Sequence, residues 1–269
     1  KINVGFITAK SIAGDIDARN VVVAGVSTFI GASSFSADAT INNVTVGRGA
    51  NSVGSNTALG QGALDGSVTG ANNTAVGRSA LTNLTTGTKN TALGQIALED
   101  VTTGADNTAI GSDALKQVTT GSNNTAVGVD ALAANTSSGN SALGHSALAA
   151  NTSGSGNIGV GKGALLVNTT GNYNVAVGQN TLDASNASQN TAIGHEALSA
   201  NTTGDQNVAV GADSLDANTT GQHNVGVGYR ALGANTTASN NTAVGKDALK
   251  SNTTGNAGVA LGTAALESN

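Results

Sequence analysis

A 17-residue repeat runs from Asn56 to the end of this 269-residue chain, and no other feature limits its fold as strongly. The Gly that closes each N-T-A-V-G segment falls at 60, 77, 94, 111, 128, 144, 161, 178, 194, 211, 228, 245 and 262. Ten of the twelve steps are 17 residues and two are 16. A short fixed period means one structural unit stacked on copies of itself, so the chain reads as an array. Arrays of this kind make rods, fibres and extended surfaces more readily than enclosed active sites.

Written from its Asn, the unit is N-[T/V]-A-[V/I/L]-G-x-x-A-L-x-x-N-T-T-G-x-x. Position four is always a large aliphatic, from Leu59 and Val76 to Leu261. Position two is Thr, Val, Ile or Ser, and position three is Ala or Gly. That period of two predicts a short strand with positions two and four on one face. Gly and Asn every few residues disfavour a helix. Position nine is Leu in all thirteen copies: Leu64, Leu81, Leu98, Leu115, Leu132, Leu148, Leu165, Leu182, Leu198, Leu215, Leu232, Leu249 and Leu266. We assign this column to the interior as a structural core ladder and count the position-four aliphatic as buried with it.

The remaining positions read as corners. Gly at position five suits a positive φ or a close backbone approach. Gly70, Gly87, Gly104, Gly121, Gly171 and Gly204 mark a second turn. The column Asn56, Asn73, Asn90 through Asn241 can stack its amides as a ladder. Charges gather after the Gly (Arg78, Asp113, Lys162, Glu196, Arg230) and after the Leu (Asp65, Glu99, Lys116, Asp183, Lys250), as solvent-facing corners would place them. Parallel strands about 4.8 Å apart would make thirteen coils a rod roughly 60 Å long.

Composition supports a thin, repeated core. There is no Pro, Cys, Met or Trp, only two Tyr and three Phe, and 38 Gly. Such a core has little margin over the entropy of ordering the chain. Lateral association is therefore expected, with the Ala-rich strands packing across a threefold axis. Charged residues are 10% and the net charge is −5, which disfavours both disorder and nucleic-acid binding. Without Cys there are no disulfides, and no apolar run reaches the roughly 18 residues of a membrane span. The absence of Met reads as an internal piece of a longer protein.

Residues 1–42 lack the period and alternate β-branched residues with Gly, Ser, Asp and Asn. They are expected to form a β-rich connector resembling a β-prism or triple β-helix, holding Phe6, Phe29 and Phe35. Residues 43–55 read as an irregular lead-in coil, and 56–269 as the roll itself.

The segments Asn73–Gly77 with Ala80-Leu81, Asn124–Gly128 with Ala131-Leu132, and Asn168–Gly178 resemble the NTTGxxNTAVGxxAL arrays of phage tail-fibre and other virion structural proteins. Ala24–Phe29 (AGVSTF) resembles phage structural segments as well. The stretch Gly47–Gly60 comes closest to the coils of trimeric autotransporter adhesin heads, which the array resembles in pattern. These resemblances imply an all-β fold, a trimeric parallel β-solenoid of the left-handed β-roll type with about 13 coils. They also imply an extracellular role on a virion fibre or cell surface. The expected function is structural: a fibre shaft that mediates attachment to a host surface, with itself as partner and a host glycan or receptor as the outside partner. A bacterial surface adhesin head is one alternative. Another is a single-chain ice-binding roll using Thr ladders such as Thr169, Thr202, Thr219 and Thr253.

Chemistry is sparse, and an enzyme is not expected. His145 and His195 share a corner position three coils apart, roughly 14 Å along a stack, too far to share a metal or a proton. His223 sits at another corner, and Glu99-Asp100 is an outward acidic pair. No Ser-His-Asp spacing, phosphate loop or zinc signature occurs. We assign no catalytic, cofactor-binding or metal residues and expect no cofactor. The N-T-T triplets at Asn168, Asn201, Asn218, Asn235 and Asn252 match the glycosylation pattern because the repeat generates it. Tyr173 and Tyr229 fall at corners where a sugar could stack.

Overall fold

The computed structural model describes residues 38–267. The connector expected over 1–42, with its three Phe, lies outside them except for its last five residues. The described residues belong to one compact unit. They form one 15-stranded sheet whose strand order follows the chain.

β1 (Ala39–Ile41) and β2 (Val44–Gly47) make an antiparallel hairpin, paired Ala39↔Val46 to Ile41↔Val44. β2 then lies antiparallel on β3 (Thr57–Gly60), so residues 43–55 supply a strand and a short 3-10 turn at Ala50–Ser52. The Asp38 carboxylate closes the base of the hairpin by accepting from the Arg48 and Gly49 amides at 2.7 and 2.6 Å. This hairpin covers the edge of the stack that β3 would otherwise expose.

From β3 onward every pairing is parallel, through β4 (Thr74–Val76) to β15 (Val259–Leu261). The register is the repeat itself: Thr57 faces Thr74, Ala58 faces Ala75, Leu59 faces Val76. The thirteen strands of positions two to four make a parallel β-solenoid of about twelve turns.

The interior differs from the sequence expectation in one respect. Position three is the buried strand residue, whereas position four points outward. Ala75, Ala109, Ala176 and Ala209 are fully buried, but Leu59, Leu93, Leu143 and Ile193 are exposed. The reason is the width of the coil. A Cβ placed on Gly159 would lie 3.3 Å from Leu148 Cγ, and one on Gly226 3.3 Å from Leu215 Cγ. The position-nine Leu reaches across from the opposite wall and leaves room for a methyl group and nothing larger. Each Leu from Leu64 to Leu249 is at most 1% exposed, and Leu266, in the last described coil, is 51% exposed.

Two polar ladders share that interior. In the first, each position-one Asn accepts from the backbone amide one coil on, and all but Asn190 donate across their own coil. Asn90 N–H donates to Asn73 Oδ1 at 2.9 Å, and Asn90 Nδ2 donates to the Gly104 carbonyl at 2.8 Å. This brace ties strand to turn and coil to coil with one side chain. The second ladder occupies position twelve, which is aliphatic in coils two to four (Leu84, Val101, Val118) and Asn from Asn135 onward except for Ser185. There Asn151 Nδ2 donates to Asn135 Oδ1 at 2.7 Å and to the Gly154 carbonyl at 2.9 Å.

Four residues per coil take positive φ. Gly at position five lies between about 119° and 150°, and positions seven, nine and seventeen are left-handed even where they are not Gly. The buried Leu column has φ of 48–55° throughout. In that conformation the Leu N–H reaches the next coil, as Leu81 to the Ala97 carbonyl at 3.1 Å. A left-handed L-residue costs roughly 1–2 kcal/mol; burying a Leu offsets it at about 1.5–3 kcal/mol.

Both 16-residue coils lack the same position. Asn124 Nδ2 and Asn174 Nδ2 donate to carbonyls 13 residues on, at Ser137 and Ala187, where Asn157 donates 14 residues on to Gly171. The missing residue comes out of the second turn, and strand register is kept as Thr125↔Ser141 and Val175↔Thr191.

Candidate functional site

The feature that dominates the surface follows from the inverted strand. Because the Ala points in, positions two and four of all thirteen coils point out, giving 26 side chains in two parallel columns. Eighteen are Val, Leu or Ile, seven are Thr and one is Ser; none is charged. Many are half-buried by their neighbours above and below, yet Leu59, Leu93, Ile110, Leu143, Ile158 and Ile193 remain exposed. At about 4.8 Å per strand the stripe is roughly 60 Å long and about 10 Å wide, on the order of 600 Å². An uncharged, largely apolar stripe of that size is at the upper end of what a monomer exposes, and such patches are often functional.

The Thr columns have a different use. Position-thirteen hydroxyls donate along the stack: Thr202 to the Thr219 carbonyl at 3.0 Å, Thr219 to Thr236 at 3.0 Å, and Thr169 to Asn186 Oδ1 at 2.8 Å. These Thr hold coil to coil rather than offering free hydroxyls to solvent. The Asn of the N-T-T triplets are likewise internal. Asn168, Asn201, Asn218 and Asn235 are fully buried and Asn252 nearly so, which closes them to glycosylation in the folded chain.

The corners carry the charge. Lys116 pairs with Asp113 at 3.5 Å, Lys250 with Asp247 and Glu267 at 3.7 and 3.5 Å, and Lys89 with Asp106 at 3.9 Å. Arg230 lies over Tyr229, 5.9 Å from the ring centroid, and Tyr173 stands out from its corner. Between Lys162 and Arg230 there is no Lys or Arg, while Asp183, Glu196, Asp205, Asp213 and Asp216 fall in that interval. Partial burial raises the pKa of Asp183, and Glu196 adds to it; burial likewise raises Asp216, helped by Asp213.

His145 and His195 occupy equivalent corner positions in different company. His145 Nδ1 lies 2.9 Å from Ser146 Oγ, and Gly163 occupies the next coil at the following position. His195 Nε2 is 3.7 Å from Glu196, and one ligand atom from each of His195, Glu196 and Asp213 lies within 4.8 Å of the others.

The Leu ladder was readable in the sequence because Leu fills position nine in every copy. The outward stripe was present there too, as positions two and four, but alternation alone does not say which face is inside. The signal that would have decided it is size: position three never exceeds Ala.

No protein-family model matches this chain, and neither a curated protein nor a solved structure matches it.

Proposed function

We propose that this chain is a structural component of an extracellular fibre, the shaft of a phage tail fibre or a similar attachment organelle. In this reading it assembles as a homotrimer through the outward strand stripe. The role is mechanical: a stiff rod holds a host-binding end away from its particle, and the corners present side chains to a host glycan or receptor. The uncharged 26-residue stripe carries this reading. Three copies turning it toward a common axis would bury on the order of 1,800 Å² in the whole assembly, about 600 Å² for each pair of copies, so the three contacts hold together as a set. No charge would be desolvated in the process. The Ala-rich strands thus meet across the axis through their Val, Leu, Ile and Thr neighbours, the Ala methyls being inside.

Light scattering on residues 1–269 tests this. A solution mass three times the 25.8 kDa of the chain is expected. A mass of one chain would overturn the trimer. A bacterial adhesin head would give the same mass and differ in its flanks, where a membrane-barrel anchor replaces a baseplate-binding segment. The regular stripe also favours a second reading, a single-chain ice-binding roll, which requires a monomer and thermal hysteresis. Its ice face would be the strand stripe rather than Thr169, Thr202, Thr219 and Thr253.

A further inference from the structure

We propose that His195, Glu196 and Asp213 form a surface site for a divalent transition-metal ion of the zinc type. One imidazole nitrogen and two carboxylate oxygens already lie within 4.8 Å of one another. Zinc ligands sit about 2.0–2.2 Å from the ion, so tetrahedral partners are roughly 3.4 Å apart. Rotation of three corner side chains closes the difference without moving the backbone. That backbone is fixed by the stack: Asp213 N–H donates to the His195 carbonyl at 3.0 Å, and Glu196 N–H to the Gln179 carbonyl at 3.1 Å. The left-handed φ of Glu196 and Asp213, 55° and 54°, turns both side chains at the same corner.

The repeat supplies its own comparison. Where Asp113 and Asp247 occupy this corner column, Lys116, Lys246 and Lys250 lie within 4.0 Å of them. At coils nine and ten the sequence offers no such cation, because residues 163–229 contain neither Lys nor Arg. Arg230, the next basic residue, lies over Tyr229. Asp183 and Asp216 stand near enough to Glu196 and Asp213 for their charges to be felt, and Arg230 offsets part of that charge at Asp216. His145 is the internal control. It holds the same column position with Ser146 and Gly163 in place of the two carboxylates. An imidazole beside carboxylates suits zinc, cobalt or nickel rather than calcium, which takes oxygen ligands. Three protein ligands leave a position open to water or an outside carboxylate.

Titration calorimetry with zinc chloride, on untagged 1–269 in a non-chelating buffer, tests the site independently of the fibre reading, since it needs one chain. One ion per chain is expected. H195A and D213N should each weaken binding about tenfold or more, and H145A should leave it unchanged. Cobalt should bind with visible absorption bands that H195A abolishes. Circular dichroism of the variants should match the parent, because these side chains are at an outer corner. Binding weaker than about 1 mM, equal affinity in H195A, an equal loss in H145A, or displacement of zinc by equimolar calcium would each overturn the proposal.

Discussion

The smallest unit that explains this fold is the position-one Asn. Its amide replaces three things a thicker core would provide: a lateral bond, a cross-coil tie and satisfaction of a buried turn carbonyl. Asn157 accepts from the Asn174 amide at 2.9 Å and donates to the Gly171 carbonyl at 2.8 Å. Asn157→Ala leaves the Asn174 amide buried without its partner, while the Gly171 carbonyl keeps Asn168 Nδ2 at 3.1 Å. A loss of about 1–3 kcal/mol in chemical denaturation is expected. Glycine at position five is bound by a different rule. At Gly144, with φ of 138°, an added Cβ would lie 2.6 Å from the Gly161 carbonyl oxygen. Gly144→Ala should lower the melting temperature, with a cost of about 1–3 kcal/mol from backbone strain alone. The Asn column and this Gly column were both legible in the sequence. The left-handed Leu was not, because Leu has no local preference for that conformation. Only the inter-coil bond its amide makes, and the burial of its side chain, hold it there.

At the scale of one coil, the two shortened units show which positions can be given up. Both lose a residue from the second turn, and Asn135 keeps its place in the position-twelve ladder despite it. Coil eight does not, for Ser185 stands there and Asn168 Oδ1 is left buried without a partner. Ser185→Asn should restore the donor and stabilise the chain by about 1 kcal/mol. The Asn135 coil shows that a 16-residue unit has room for it. Thermal melts of the single variant would check this, and an unchanged or lower midpoint would contradict the ladder's energetic role. The corner carboxylates make a pH-dependent prediction. Burial, then Asp213, raises the pKa of Asp216 in the fold, so its charged form opposes folding above the unfolded value of about 4. Asp216→Asn should therefore raise the melting temperature at pH 7. That gain should fade as pH drops toward 3, where the native Asp is neutral in both states. The position-twelve ladder could have been seen in the sequence as a column changing from aliphatic to Asn. It was masked by the N-T-T-G turn signal, which explains the same residues as a loop.

Across the whole molecule, the period predicted a solenoid and its coil count, and the structure has that architecture. Which wall is inside was not legible. Alternating positions fix which residues share a face, and the choice of face depends on the slot width that the opposing Leu defines. That choice moves the aliphatic column from the core to the surface, and with it the face on which the proposed self-association rests. A charge placed in the stripe tests the consequence directly. Val210→Lys puts an ammonium group where the proposed axis lies and should reduce the solution mass to that of one chain, with circular dichroism unchanged. Retention of the trimer mass would move the interface elsewhere. The uniform register has a mechanical meaning as well. From β3 onward the strands pair only with their immediate neighbours, always in parallel and in the same register. Tension along the axis therefore meets no single strongest link, and the rod yields from an end one turn at a time. Each release frees about 17 residues of slack, roughly 55–60 Å of extended chain, so a pull absorbs work in equal increments before anything tears.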